Sequence, residues 1–116
     1  MTQGQVPAAI TEEGLIAKSR VYIQRAFRAK MAGDLDEYQL WTSLALELLG
    51  KAALARIHPS LVVDPNHYES LFAASGVNIS TDIKTIGAGT LYKRLGHLSK
   101  YFDTKVKEFC DDIASP

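Results

Sequence analysis

The sequence has a single cysteine, no net charge and no long apolar run, and each absence excludes a class of protein. Cys110 cannot form a disulfide within the 116 residues, which favours the reducing cytoplasm as the compartment. Thirteen basic residues balance thirteen acidic ones, so no overall charge attracts the chain to nucleic acid or to an anionic membrane. No stretch approaches the roughly 20 apolar residues of a membrane span, and residues 1–13 lack the order of a signal peptide, so no membrane partner is expected.

The composition that is present is that of one globular domain. Hydrophobic residues make up 47% of the chain and charged residues 22%, which is too apolar and too balanced in charge for a disordered protein. A length of 116 residues fits a single domain. We expect residues 1–11 to form a flexible N-terminus and residues 12–116 to form the domain.

Two long helices are predicted in the first half. Thr11 followed by two glutamates is typical of a helix start, and an amphipathic pattern then runs to Met31 before Gly33 ends it. Asp34, with a glutamate three residues later, is a capping-box-like start for a second helix, residues 34–57. Apolar residues cover more than half of its helical wheel, which predicts a central helix covered by neighbours. The residues expected to be buried are Trp41, Leu44, Leu48 and Ala52.

Shorter elements are predicted in the second half. Residues 60–66 are expected to form a loop whose Leu61, Val62 and Val63 pack inward, residues 67–75 a short helix ending at Gly76, and residues 77–89 a partly extended connection. Thr90 is expected to cap a further short helix.

A last helix is predicted to start at Asp103 or Thr104. Its apolar stripe consists of Phe102, Val106, Phe109, Cys110 and Ile113. No alternating strand pattern competes with these elements. The predicted fold class is therefore all-α, a compact bundle of four to five helices with a buried central helix.

Neither a metal site nor a cofactor loop is indicated. His58, His67 and His97 are scattered, and none pairs with another ligand at helical spacing. Cys110 lies on an apolar stripe, which favours a buried thiol over a nucleophile. Residues 87–90 are rich in glycine, but no Gly-Lys-Ser/Thr follows, so a nucleotide loop is not expected. We expect no metal and no cofactor.

Polar residues suggest two possible contact surfaces. Glu47 and Lys51 stand four residues apart on the narrow polar strip of the second helix, in the favourable order. The strip forms either an ion pair of little energetic value or the wall of a cleft or partner contact. Residues 1–33 carry five basic and two acidic residues, a local balance of +3. A second basic cluster, predicted to face RNA or a partner, consists of Lys93, Arg94 and Lys100.

The second helix carries an Ala-x-Glu-Leu-x-x-Lys-Ala-x-Leu pattern, formed by Ala45, Glu47, Leu48, Lys51, Ala52 and Leu54. This pattern resembles the central helix of the HEPN superfamily. The resemblance implies a helical bundle that forms a homodimer. Many members are metal-independent ribonucleases of bacterial toxin–antitoxin, abortive-infection and CRISPR-linked systems, and others are inactive RNA-binding or adaptor modules.

Active HEPN members carry Arg-x4–6-His on their last helix, and this sequence departs from that pattern. Arg94 and His97 are only three residues apart, and they are the nearest candidates for a displaced catalytic pair. The resemblance therefore predicts a chain that is truncated before its motif or non-catalytic, with no RNA cleavage above background. Two functions remain open: a dimeric, RNA-related HEPN-like domain, and a non-enzymatic protein–protein interaction module, antitoxin-like or inhibitor-like.

Overall fold

The computed structural model describes residues 5–98, and within that range the backbone forms four α-helices and no β-strand. The helices are α1 (Glu12–Met31), α2 (Leu35–Ile57), α3 (Tyr68–Ala74) and α4 (residues 88–98), with short 3-10 turns at Ala8–Ile10 and Pro59–Leu61. The predicted all-α fold class is confirmed. Lys100 and the predicted last helix lie outside the described residues.

The ends of the first two helices follow the local sequence signals. The Thr11 hydroxyl accepts a hydrogen bond from the Gly14 N–H at 3.1 Å, and the Asp34 carboxylate accepts one from the Glu37 N–H at 3.1 Å. These bonds satisfy N–H groups that a helix start leaves without a partner. Gly33 has a φ of +78°, a conformation that side chains with a Cβ rarely adopt, so it ends α1 and turns the chain into α2.

Helices α1 and α2 form an antiparallel hairpin with a seam of small side chains. The buried residues of α1 recur at spacings of three to seven, and those of α2 that face them are mostly alanines. They are Leu15, Ser19, Ala26 and Ala29 on α1, and Ala45 and Ala52 on α2. Small side chains let the two helix backbones approach closely, so larger residues are displaced to the two sides of the seam.

The hydrophobic core lies at the end of the hairpin remote from its turn. Its buried members are Ile10, Leu15, Ala52, Leu54, Ala55, Val62, Val63, Ala74, Ile86 and Leu91. None of them lies between residues 16 and 51. Residues 22–49, which we call the arm, contribute no buried member to this cluster. Half-buried Leu48 packs against it, and the buried residues of the arm are the alanines of the seam.

Only part of α2 is covered as the sequence predicted. Ala52 is buried, but Trp41, Leu44 and Leu48 are half-buried, and Leu40 and Leu46 are more than half exposed. Within the described chain, the core elements reach the C-terminal half of α2 and leave one side of its N-terminal half open. The apolar residues of α2 are thus buried in the core near its C-terminal end and partly exposed on the surface near its N-terminal end.

Helix α4 packs on α2 where α2 has a glycine. A Cβ built on Gly50 would lie 3.0 Å from Leu95 Cδ1 and 3.2 Å from Leu91 Cδ2, which shows how closely the helices approach. The Leu91 N–H donates to the Gly87 carbonyl at 2.9 Å, so α4 begins at residue 88. Thr90 lies inside its first turn, and the prediction that Thr90 caps the helix was wrong, because the Gly87 carbonyl already starts the helical hydrogen bonds.

The predicted loop and extended connection meet at the core. Val62 and Val63 are buried as predicted, and an isolated antiparallel bridge joins Val63 to Thr85. The Asp64 N–H donates to the Lys84 carbonyl at 2.8 Å, and the Ile86 N–H donates to the Val62 carbonyl at 2.8 Å. These bonds hold the partly extended connection against the turn after α2.

Two side chains of the segment predicted to be flexible, residues 1–11, contact the core. Ile10 is fully buried at the end of the turn Ala8–Ile10, and Val6 packs against the same cluster. A Cβ on Gly14 would lie 1.9 Å from the Ala8 carbonyl oxygen, so the turn rests directly on the first turn of α1. Ile10, Val6 and the Ala8 carbonyl thus all contact the rest of the domain.

Two of the helical glycines, Gly14 and Gly96, offer a matched test of this packing. We expect Gly14→Ala to lower the free energy of unfolding by about 1–3 kcal/mol, because the new methyl group collides with backbone. Gly96→Ala should raise it by up to about 1 kcal/mol, because a Cβ there meets nothing within 4 Å and alanine is the better helix former. Urea unfolding followed by circular dichroism measures both, and equal midpoints for Gly14→Ala and the wild type would contradict the seating of the turn.

Candidate interaction surfaces on the first two helices

The connection after α3 covers the predicted polar strip of α2 at Lys51. Lys51 Nζ lies 3.4 Å from Glu47 Oε1 and donates a hydrogen bond to Thr85 Oγ1 at 3.1 Å. Lys51 is only 9% exposed, whereas the Glu47 side chain is 24% exposed. The ammonium group thus joins α2 to the residue that pairs with Val63, and the strip forms no open cleft at this point.

The predicted catalytic candidates on α4 face different surroundings. Arg94 Nη1 donates a hydrogen bond to the Leu61 carbonyl oxygen, which ties α4 to the turn Pro59–Leu61. His97 is exposed, and no hydrogen bond or ion pair joins it to Arg94 within residues 5–98. Lys93 is exposed as well. The structure therefore gives Arg94 a structural partner and brings no cation and base together there.

The other two histidines also have local partners. His58 Nδ1 accepts the Ser60 N–H at 3.0 Å at the start of the 3-10 turn. His67 Nδ1 lies 2.6 Å from Ser70 Oγ, which accepts the Lys84 N–H at 2.9 Å. Ser70 is fully buried, so this hydroxyl anchors the connection and is not accessible as a nucleophile.

Residues 5–98 contain neither a metal-binding cluster nor a membrane-spanning helix. No group of three or more histidine, cysteine, aspartate or glutamate side chains is placed to hold a metal ion there. In the same part of the chain, no helix combines the length and the apolar character needed to cross a membrane.

An apolar groove runs along one side of the arm. It has a volume of about 180 Å³ and is lined by Ile23, Ala26, Phe27, Tyr38, Thr42, Ala45, Leu46 and Leu49. The seam alanines form its floor, and Phe27 and Leu46, which are 61% and 57% exposed, form its edges. Met31 and Leu35 extend the exposed apolar surface to the turn of the hairpin. This groove was not predicted from the sequence, because the wide apolar arc of α2 indicated a helix covered by its neighbours on most sides.

The other side of the arm carries cations and aromatic rings. The Tyr22 and Trp41 ring centroids are 5.2 Å apart, at an interplanar angle of 52°. The Arg25 guanidinium lies 4.8 Å from the Trp41 centroid and 5.6 Å from the Tyr22 centroid, and Lys18 Nζ lies 5.8 Å from the Tyr22 centroid. We call Lys18, Tyr22, Arg25 and Trp41 the cation–aromatic flank. In the sequence, the excess of basic over acidic residues in positions 1–33 was the feature that pointed to this surface.

The Lys51 contacts can be tested for their contribution to stability. We expect Lys51→Met to lower the free energy of unfolding by about 1–2 kcal/mol, because Thr85 and Glu47 lose a charged donor while the aliphatic stem is kept. Glu47→Gln should cost less, about 0.5 kcal/mol, because the carboxylate is partly solvated. Denaturant unfolding of both variants measures the difference, and a larger loss for Glu47→Gln would contradict this account.

Comparison of the chain with known proteins identifies no relative. No family model, no curated protein and no solved structure matches it. The two surfaces of the arm are therefore the features from which a function can be inferred.

Proposed function

We propose that this chain is a non-catalytic helical interaction module that forms a homodimer through the apolar groove of its arm. The observation that supports this proposal is the exposure of Phe27 and Leu46 at the edges of a groove whose floor is already formed. Contiguous exposed apolar patches of this kind are typical of protein interaction sites. A helical hairpin with one uncovered apolar side pairs readily with a second hairpin to give a four-helix bundle.

The size of the surface fits a pair of identical chains. Five large apolar side chains of the arm are between 39% and 88% exposed, and at about 100 Å² each they offer on the order of 500 Å² per copy. The five are Phe27, Met31, Leu35, Leu46 and Leu49. A pair would bury about 1,000 Å², which is the lower limit for a specific interface.

The turn of the hairpin carries charges of both signs. Asp34, Asp36 and Glu37 at the start of α2 follow Arg28 and Lys30 in the last turn of α1. The apolar groove, rather than charge, therefore provides the complementarity. A two-fold axis through the middle of the groove would bring the same groove and edges of the two copies into contact.

The resemblance to the HEPN superfamily suggests the biological context of the proposed module. It suggests a bacterial defence or toxin–antitoxin type of system, a cytoplasmic location, and a HEPN-like domain that dimerises without cleaving RNA. The engagement of Arg94 with Leu61 supports the non-catalytic part, because that guanidinium already has a partner. An antitoxin-like or inhibitor-like role agrees with this proposal, because such proteins act by binding other proteins and the arm exposes an apolar groove.

Two variants of matched exposure test the interface. We expect the wild type to sediment as a dimer at tens of micromolar and Leu46→Glu to sediment as a monomer, because a glutamate in the groove would lose its hydration on pairing. Phe72→Glu is the control, since Phe72 on α3 is 55% exposed but lies off the arm. It should remain dimeric.

Sedimentation velocity over a hundredfold range of concentration measures both association states, and circular dichroism checks that each variant keeps its helical content. A wild type that stays monomeric at 100 µM contradicts the proposal. Loss of the dimer in both variants would place the interface elsewhere.

A further inference from the structure

We propose that the cation–aromatic flank binds single-stranded nucleic acid. This site lies across the helical seam from the groove, so it does not depend on the proposed dimer. Positions 18, 22 and 25 of α1 follow the helical spacing of one side, and Trp41 faces them from α2. The arm thus carries two surfaces of different chemistry.

The rings of the flank are anchored but not enclosed. Tyr22 and Trp41 are half-buried, so each ring packs on the hairpin and keeps part of its surface open to solvent. Lys18 and Arg25 are exposed. Three of the four contacts between a cation and a ring in residues 5–98 converge on this pair of rings. Such an arrangement orients the cations on a semi-rigid aromatic base.

Among residues 5–98, the cations of the flank have no acidic partner. The ion pair described in residues 5–98 joins Lys51 to Glu47, so Lys18 and Arg25 have no carboxylate within 4.0 Å. The two glutamates of α1 lie in its first turn, on the N-terminal side of the flank. A guanidinium that rests on rings is weakly hydrated and keeps its charge available to an external anion. The flank is therefore locally cationic although the chain as a whole is neutral.

The combination of charge and flat apolar surface selects the ligand class. Phosphates satisfy the cations, and unpaired bases stack on aromatic or guanidinium planes. A duplex would present phosphates while hiding its base faces, and an acidic peptide would present carboxylates without stacking groups at regular intervals. Single-stranded RNA and single-stranded DNA share the phosphates and the unpaired bases that fit this surface, and RNA adds the 2′-hydroxyl.

The location differs from the one that the sequence suggested. Lys93, Arg94 and Lys100 were the expected nucleic-acid contacts, but Arg94 is bonded to Leu61 and Lys100 lies outside the described residues. The flank offers rings as well as cations, and α4 offers no ring–cation contact within the described residues.

Trp41 makes the site directly observable, because it is the one tryptophan in the chain. We would titrate the protein with a 12-nucleotide single-stranded RNA, the DNA of the same sequence, its duplex, and inorganic polyphosphate, each at two salt concentrations. We expect saturable quenching of Trp41 fluorescence by the single strands and weaker, non-saturating changes with the duplex and polyphosphate. Tighter binding of RNA than of DNA would identify RNA as the ligand, and equal binding would show that the site accepts either nucleic acid.

Charge-removing variants separate this site from general attraction. Arg25→Gln should weaken binding of a fluorescein-labelled strand, measured by anisotropy, about tenfold and reduce the salt dependence by about one phosphate contact. Arg56→Gln removes an exposed cation of α2 outside the flank and should change the affinity less than about twofold. The Leu46→Glu variant should bind as the wild type does.

Three results would overturn the proposal: no quenching at 50 mM salt, equal quenching by polyphosphate and single strands, or equal losses in Arg25→Gln and Arg56→Gln. Because the groove variant is measured in the same assay, a failure of the dimer and a failure of nucleic-acid binding are recorded separately.

Discussion

The close contact between α1 and α2 is the constraint on which the rest of the structure depends. Ser19, Ala26, Ala29, Ala45 and Ala52 are too small to separate the two backbones, so the hairpin is held by many short van der Waals contacts over its length. Because the seam has no room for large side chains, the aromatic and branched residues of both helices must project to either side. The groove and the cation–aromatic flank are both consequences of that geometry.

The core at the base of the hairpin explains how an arm can stand apart from it. Ile10, Val62, Val63, Ile86 and Leu91 surround the C-terminal half of α2 and leave the turn of the hairpin outside. Lys51 strengthens this end, because its ammonium group joins α2 to Thr85 in the connection. The stability of the domain is thus concentrated where α2 meets the later elements, and the arm is left available for contact with other molecules.

Local signals predicted much of the fold. Thr11, Gly33, Asp34 and Gly76 act through bonds or dihedral angles that involve neighbours within a few residues, and the helix limits they predicted agree with the structure. The site was less accessible to such reasoning. Glu47 and Lys51 form the predicted pair, but the Thr85 contact joins residues 34 apart, and the Leu61 partner of Arg94 is 33 residues away.

The sequence by itself therefore determined the all-α class, the two long helices and their ends, because capping and helical periodicity are properties of short segments. Only the tertiary structure decided which half of the apolar arc of α2 is buried, that Ile10 belongs to the core, and that Tyr22, Arg25 and Trp41 meet. A helical wheel shows which side chains share a direction, but it does not show how far the neighbouring elements extend along the helix. That length is set by long-range packing, and it is what leaves the two sides of the arm exposed.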